Sequence, residues 1–187
     1  MRFTFLLLVY AQIIIFANPS FAKSSESNIT NMGYIKGEMS KFSFHEIPVL
    51  IKELPVIDNK NNVIDLMKQD HNLILINFWA TWCSPCVEEM PSLDKLQSLF
   101  ANKHLKIITI ATGRNNPKKI TNFFNHNKIF NLENFKDPKG SLAMNLGILG
   151  LPASILISRD GYEIARLIGP INWIQNDVIT FFKKLTM

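Results

Sequence analysis

The sequence predicts an α/β domain with a central mixed β-sheet and helices on both faces. Three observations carry that expectation. Apolar runs of strand length at residues 73–79 and 105–111 are each followed by a segment of helical character, the alternation that builds parallel strands joined by crossover helices. An Asp160-Gly161 turn between two further apolar runs adds an antiparallel hairpin. Residues 173–185 are amphipathic and read as a closing helix.

In chain order, residues 1–22 read as a secretory signal. Arg2 supplies the positive region, residues 3–17 the hydrophobic stretch, and Ser20-Phe21-Ala22 a small-x-small cleavage site before Lys23. That stretch is short for a membrane span; the alternative is an uncleaved anchor, with membrane association through residues 3–17. No cysteine follows it closely, so lipid attachment has no acceptor there. Residues 23–40, rich in Ser, Asn and Gly, read as a flexible leader, and residues 41–187 as a single domain. Residues 42–57, the turn chemistry of Asp58-Asn59-Lys60-Asn61-Asn62, and residues 63–67 predict a hairpin-like lead-in.

Residues 73–79 are apolar throughout, as expected of a central strand covered on both faces. They run directly into Ala80-Thr81-Trp82-Cys83. Over residues 85–100, Val87, Met90, Leu93, Leu96 and Leu99 recur at helical spacing, with Glu88, Glu89, Asp94 and Lys95 between them. Pro91 removes a backbone donor inside this helix and should kink it. Pro117 opens a second helix that runs to about residue 127. Asp137-Pro138-Lys139-Gly140 turns the chain, residues 141–146 suit a short helix ended by Gly147, and residues 153–158 and 163–168 are the hairpin strands.

The formal net charge is +5, one unit of which is Arg2 in the signal. The lysines occur as scattered pairs such as Lys118-Lys119 and Lys183-Lys184, without a basic run, which argues against a nucleic-acid partner. His45, His71, His104 and His126 form no close ligand pair in sequence, so no metal site is expected, and no motif calls for a cofactor.

The two cysteines, Cys83 and Cys86, are three positions apart. As a staple this pair is poorly placed, since closing about four residues stabilises by roughly 2 kcal/mol whereas a 15-residue loop gives about 3. The C-x-x-C spacing is instead a redox or metal arrangement. A thiol exchanges disulfides only as its thiolate, and an ordinary cysteine, with a pKa of about 8.5, is mostly protonated at neutral pH. Cys83 falls where strand gives way to helix, so orphan N–H groups and the positive end of the macrodipole favour its anion. Cys86, one turn further on, can attack a mixed disulfide formed by Cys83. Ser84-Pro85 fixes the spacing, and Pro85 near the helix start costs no hydrogen bond. Glu89 shares the helix face of Cys86, whereas Glu88 points away. On spacing alone, Glu89 is either a proton acceptor for Cys86 or an ordinary solvated helix glutamate.

The segment Asn77-Phe78-Trp79-Ala80-Thr81-Trp82-Cys83-Ser84-Pro85-Cys86, followed by Glu89-Met90-Pro91, resembles the active site of the thioredoxin superfamily, most closely its TlpA-like and ResA-like periplasmic branch. Gly150-Leu151-Pro152-Ala153-Ser154 resembles the loop that carries the family's cis-proline, so the likeness spans about residues 54–185. It implies a thioredoxin-like fold and a thiol-disulfide oxidoreductase with a redox-active disulfide between Cys83 and Cys86. It further implies that Pro152 is cis beside the sulfurs, where base rates alone favour an ordinary trans turn proline. Trp82, Ser84, Pro85, Leu151 and Pro152 are then the residues that meet substrate, with Trp79 and Trp82 packed around the site. Asn77 stands where thioredoxins carry a buried aspartate; an amide cannot take the proton of the second cysteine, so the resemblance assigns that task to Glu89.

By the same resemblance the substrates are exported proteins with cysteine pairs, the electron donor is a membrane thiol-reductant transporter, and the compartment is the periplasm. Branch members serve cytochrome c maturation or copper-site assembly of cytochrome oxidase. Two other functions compete. A DsbA-like oxidase or an isomerase would need a large helical insertion for which residues 91–152 leave no room. A copper-binding chaperone would have only Cys83 and Cys86 as soft ligands.

Overall fold

The computed structural model describes residues 35–68, 73–100 and 105–186. The expected signal, most of the leader, His71 and His104 lie outside these residues. The strands, in chain order, are β1 (Ser43–Leu50), β2 (Pro55–Ile57), β3 (Val63–Asp65), β4 (Leu73–Trp79), β5 (Leu105–Thr112), β6 (Glu133–Asp137), β7 (Ala153–Ser158) and β8 (Tyr162–Ile168). The helices are α1 (Ser84–Phe100), α2 (Pro117–His126), α3 (Ser141–Asn145) and α4 (Asn176–Leu185). All eight strands form one sheet in the order β1-β8-β7-β4-β5-β6-β2-β3.

β4 is central because every one of its residues is buried, which only a strand covered on both faces tolerates. It pairs in parallel with β5 and antiparallel with β7, placing Asn77 opposite Thr109 on one side and Ser154 on the other. The alternation of side chains then divides labour between the faces. On one face Ile74, Ile76 and Phe78 join Ile108, Ile110, Ile155 and Leu142 of α3 in a single apolar cluster. On the other, Asn77 meets Glu89 of α1 at 2.8 Å, and Trp79 packs against both Phe123 and Phe124 of α2, with ring centroids 5.4 and 5.8 Å away. Phe100 against Phe182, at 6.3 Å, ties α1 to α4 on that same face. The mixed sheet with helices on both faces is the fold that the sequence predicts.

Three details differ from expectation. The Asp58–Asn62 turn does close a hairpin, β2 with β3, at one edge of the sheet beside β6, but residues 43–50 are not part of it: they form β1, which pairs with β8 at the opposite edge. β6 was not foreseen, because Glu133-Asn134-Phe135-Lys136-Asp137 has no apolar run; parallel pairing with β5 makes it a strand, with Phe135 and Asp137 turned inward. The last helix begins at Asn176 rather than Trp173. The Trp173 backbone N–H donates to Ser92 Oγ at 3.3 Å, and the Ile174 N–H to Asn172 Oδ1 at 3.2 Å, so these amides are committed outside a helix.

The 3-10 turn Gly37–Lys41 packs into the same body: Met39, upstream of the expected domain start at residue 41, is fully buried. Its N–H donates to Asp177 Oδ2 of α4 at 3.2 Å. α1 runs through Pro91 as one 17-residue helix.

Candidate active site

Cys83 is the last residue before α1. Its N–H donates to the Ala80 carbonyl at 3.1 Å, and its own carbonyl accepts from Val87 at 3.1 Å, so it stands in the capping position of the helix. The first N–H groups of the helix have no intrahelical partner and crowd around that position. Cys83 and Cys86 are joined by a disulfide, S–S 2.01 Å with Cα atoms 5.3 Å apart. The two sulfurs are not equivalent. Cys83 is 7 % exposed and Cys86 0 %, so an incoming partner can reach the first alone. The preceding loop is held by Asn115, whose Oδ1 accepts from the Thr81 N–H at 2.8 Å and the Thr81 hydroxyl at 3.0 Å.

The sulfur of Cys83 opens onto a groove of about 640 Å³ that brings together Trp82, Cys83, Ser84, Pro85 and Leu151. Trp82 is 66 % exposed on its rim. The Leu151–Pro152 peptide is cis, and Pro152 is buried at the head of β7. Among the lining residues that sequence reasoning missed are Met144 at the end of α3 and Leu149. Both are apolar yet largely exposed, 73 % and 95 %, a mismatch between residue type and environment that no sequence pattern announces. Trp79 is not at the groove: it is fully buried, its indole N–H donating to Asn134 Oδ1 at 2.9 Å.

Behind the cysteines lies Glu89, 4 % exposed, whereas Glu88 is exposed and accepts from Ser84 Oγ at 2.9 Å. Glu89 is therefore not a solvated helix carboxylate. Asn77 Nδ2 donates to its Oε1 at 2.8 Å; the Ile171 N–H and the Trp173 indole N–H donate to its Oε2 at 3.2 and 3.1 Å. Burial pushes its pKa up to about 7, against the opposing pull of the bonds from Asn77, Ile171 and Trp173. No cation bonds it. A carboxyl poised near neutrality, three residues from a buried thiol on one helix face, can accept and return a proton. The donors Ile171 and Trp173 were also missed, since nothing local to residues 171–173 points 82 to 84 positions back along the chain.

The two described histidines, His45 and His126, are elsewhere. His45 Nε2 lies 2.9 Å from Glu163, and His126 is exposed in the last turn of α2. Among the described residues no group of three His, Cys, Asp or Glu side chains could hold a metal ion.

The Redoxin family model matches residues 37–178. The chain belongs to this family. Within it, the chain is 30 % identical over 151 residues to the thiol-disulfide oxidoreductase ResA of Bacillus cereus, covering 78 % of this chain and 83 % of that one. It is 30 % identical over 132 residues to the thiol:disulfide interchange protein DsbE of Haemophilus influenzae, covering 68 % and 70 %. The fold is also that of StoA from Bacillus subtilis, with a TM-score of 0.57 at 21 % identity over 76 % of this chain and 100 % of that one. A thioredoxin-family thiol:disulfide interchange protein from Chlorobium tepidum superposes with a TM-score of 0.59 at 19 % identity, over 76 % and 96 %. This redoxin-family chain is thus a thiol-disulfide oxidoreductase of the ResA and DsbE type with a thioredoxin-like fold. No helix among its described residues is long and apolar enough to cross a membrane.

Proposed function

We propose that this protein reduces disulfides of exported proteins, as a dithiol donor of the kind that serves cytochrome c maturation or cytochrome oxidase copper-site assembly. The observation that carries the reading is the pairing of a surface-reaching Cys83 with a buried Cys86 and a buried, cation-free Glu89 on one helix. In the reduced state the Cys83 thiolate attacks a substrate disulfide, forming a mixed disulfide and releasing one substrate thiolate. Cys86 passes its proton to Glu89. The resulting thiolate attacks the Cys83 sulfur, closing the Cys83–Cys86 disulfide and expelling the second substrate sulfur, which takes up a proton. Two electrons move from the dithiol to the substrate. A membrane thiol-reductant transporter returns them, outside the cytoplasm, to a chain whose residues 1–22 act as an export signal or remain as an anchor, followed by a leader and the domain.

Trp82, Ser84, Pro85 and Leu151 receive the polypeptide around the target cysteine, with the groove beside Cys83 that they line supporting that role, and Pro152, buried and outside that lining, joins them through its place next to Leu151. The test is trapping. Cys86→Ser should accumulate mixed disulfides with exported proteins, while Cys83→Ser should lose disulfide reduction altogether. Residual reduction by Cys83→Ser, or no trapped partner with Cys86→Ser, would remove the assigned order of attack. An equilibrium potential well above that of glutathione would turn the direction toward the DsbA-like oxidase reading.

A further inference from the structure

Asn77 occupies the middle of β4, fully buried, with neutral neighbours in both flanking strands. Its Nδ2 spends both hydrogens, one on Glu89 Oε1 at 2.8 Å and one on Ser154 Oγ at 3.1 Å. Its Oδ1 has no partner, and among the described residues it is the single buried side-chain N or O atom in that condition. A buried acceptor left unpaired costs stability and calls for a reason.

The carboxyl group of Glu89 supplies one. Its Oε2 already accepts from the Ile171 N–H and the Trp173 indole N–H, groups that donate and never accept. Both lone pairs are engaged, so an added proton belongs on Oε1. There it would meet the Nδ2 hydrogen of Asn77, two donors facing each other. Rotating the amide by half a turn about its Cβ–Cγ bond brings Oδ1 to that position, where it accepts from the new O–H. Ser154 can follow, because a hydroxyl both donates and accepts by turning its hydrogen.

We propose that Asn77 is a positioning residue that turns with the proton: its amide donates to Glu89 when that side chain is a carboxylate and accepts from it when it is a carboxylic acid, with the Ser154 hydroxyl reversing in step. This rests on the reading that Glu89 takes the proton of Cys86. The proton arriving on Oε1 is the one lost by the Cys86 thiol, and it leaves when the expelled substrate sulfur is protonated. Each state of the carboxyl then has a partner at Oε1, and the cost of an unpaired polar group passes from Oδ1 in the carboxylate state to the Nδ2 hydrogens in the acid state. The charged groups on the cleft that reaches Glu89 are Glu38 and Lys41 of the 3-10 turn, paired at 2.7 Å, and Glu88 and Lys95 of α1. The other titratable neighbour on its helix face is Cys86, and none of these groups contacts Asn77 in place of the carboxyl.

Two measurements on the reduced, full-length protein test this. In the first, the side-chain carbon of Glu89 and the Nδ2 protons of Asn77 are followed by NMR through a pH titration. Through-space contacts from those protons to Ser154 and Glu89 should be present at high pH and lost at low pH, with the midpoint of the carboxyl itself. In Glu89→Gln, whose amide must point its own N–H₂ at Asn77, the low-pH pattern should hold at every pH. If Glu89 titrates while the Asn77 contacts persist, the turning amide is overturned and the proton acceptor stands. If the Glu89 carbon does not move between about pH 4 and 10, both fall. In the second, Asn77→Leu should raise the pH midpoint of mixed-disulfide resolution by about one unit, because a charge-assisted bond is lost from the carboxylate and a weaker neutral one from the acid. Asn77→Thr, with a hydroxyl that both donates and accepts, should return most of that shift and keeps the test open if Asn77→Leu fails to fold. A midpoint in Asn77→Leu equal to that of the native protein, or one in Asn77→Thr displaced from the native value by a full unit or more, overturns the proposal.

Discussion

Two glutamates in this domain are almost equally hidden, Glu89 at 4 % and Glu163 at 1 % exposure, and their surroundings are opposite. Glu163 on β8 is gripped by a guanidinium: Arg166 Nε donates to Oε1 at 2.7 Å and its terminal nitrogen to Oε2 at 2.9 Å, with His45 Nε2 at 2.9 Å. Glu89 has three donors as well, yet all are neutral, an amide, a backbone N–H and an indole. Burial sets the cost of a charge at both places; a cation answers it at one, and among the described residues only neutral donors answer it at the other. A buried carboxylate with its own cation is a structural tie. A buried carboxyl with donors alone is held between protonation states, which is what a proton acceptor beside a thiol requires.

The largest expected effect breaks the tie. Arg166→Ala leaves Glu163 buried beside His45 without its guanidinium and should destabilise the domain by about 3 kcal/mol or more in chemical denaturation, while the folded fraction keeps its rate of disulfide exchange. Glu89→Gln should do the reverse: mixed-disulfide resolution slows by about 10²-fold, the lower end of a general acid-base contribution, and the fold is not weakened at neutral pH. Equal losses of stability in both variants would erase the distinction.

Acidity sharpens the same contrast. The folded pKa of Glu89, about 7, lies above its ordinary 4.5. Below about pH 4.5 the group is protonated in folded and unfolded chains alike and contributes no pH dependence. As pH rises toward 7 the unfolded chain releases the proton while the folded one keeps it, so stability falls, by roughly 3 kcal/mol in all, and levels off above 7. Denaturation midpoints across that window should show the decline in the native protein and a flatter profile in Glu89→Gln. The smallest effect is that of one donor: Trp173→Phe keeps the ring and removes the indole N–H, and should raise the Glu89 midpoint further by about one unit. Carbon NMR of the glutamate side chain would read it, and a downward shift would mean that the bond serves the acid form.

The contrast also marks how far the residues could be read in order. Strand-helix alternation, the Asp160-Gly161 hairpin and the C-x-x-C at a helix start are local signals, and each fell where periodicity put it, within a few residues. β6 escaped because Glu133-Asn134-Phe135-Lys136-Asp137 becomes a strand through its partner β5. The lead-in was misjoined because β1 and β2 are near in sequence but belong to opposite edges of the sheet.

By itself, then, the sequence determined the type of fold and the two sulfurs, since propensity, periodicity and a three-residue spacing act over one helical turn or one strand. Whether Glu89 is a solvated carboxylate or a buried acid, and whether Trp79 packs around the site or is a core aromatic, was decided by the tertiary structure. Those properties depend on solvent exclusion and on donors such as Trp173 that arrive from more than 80 residues away, and packing, not local sequence, brings them together.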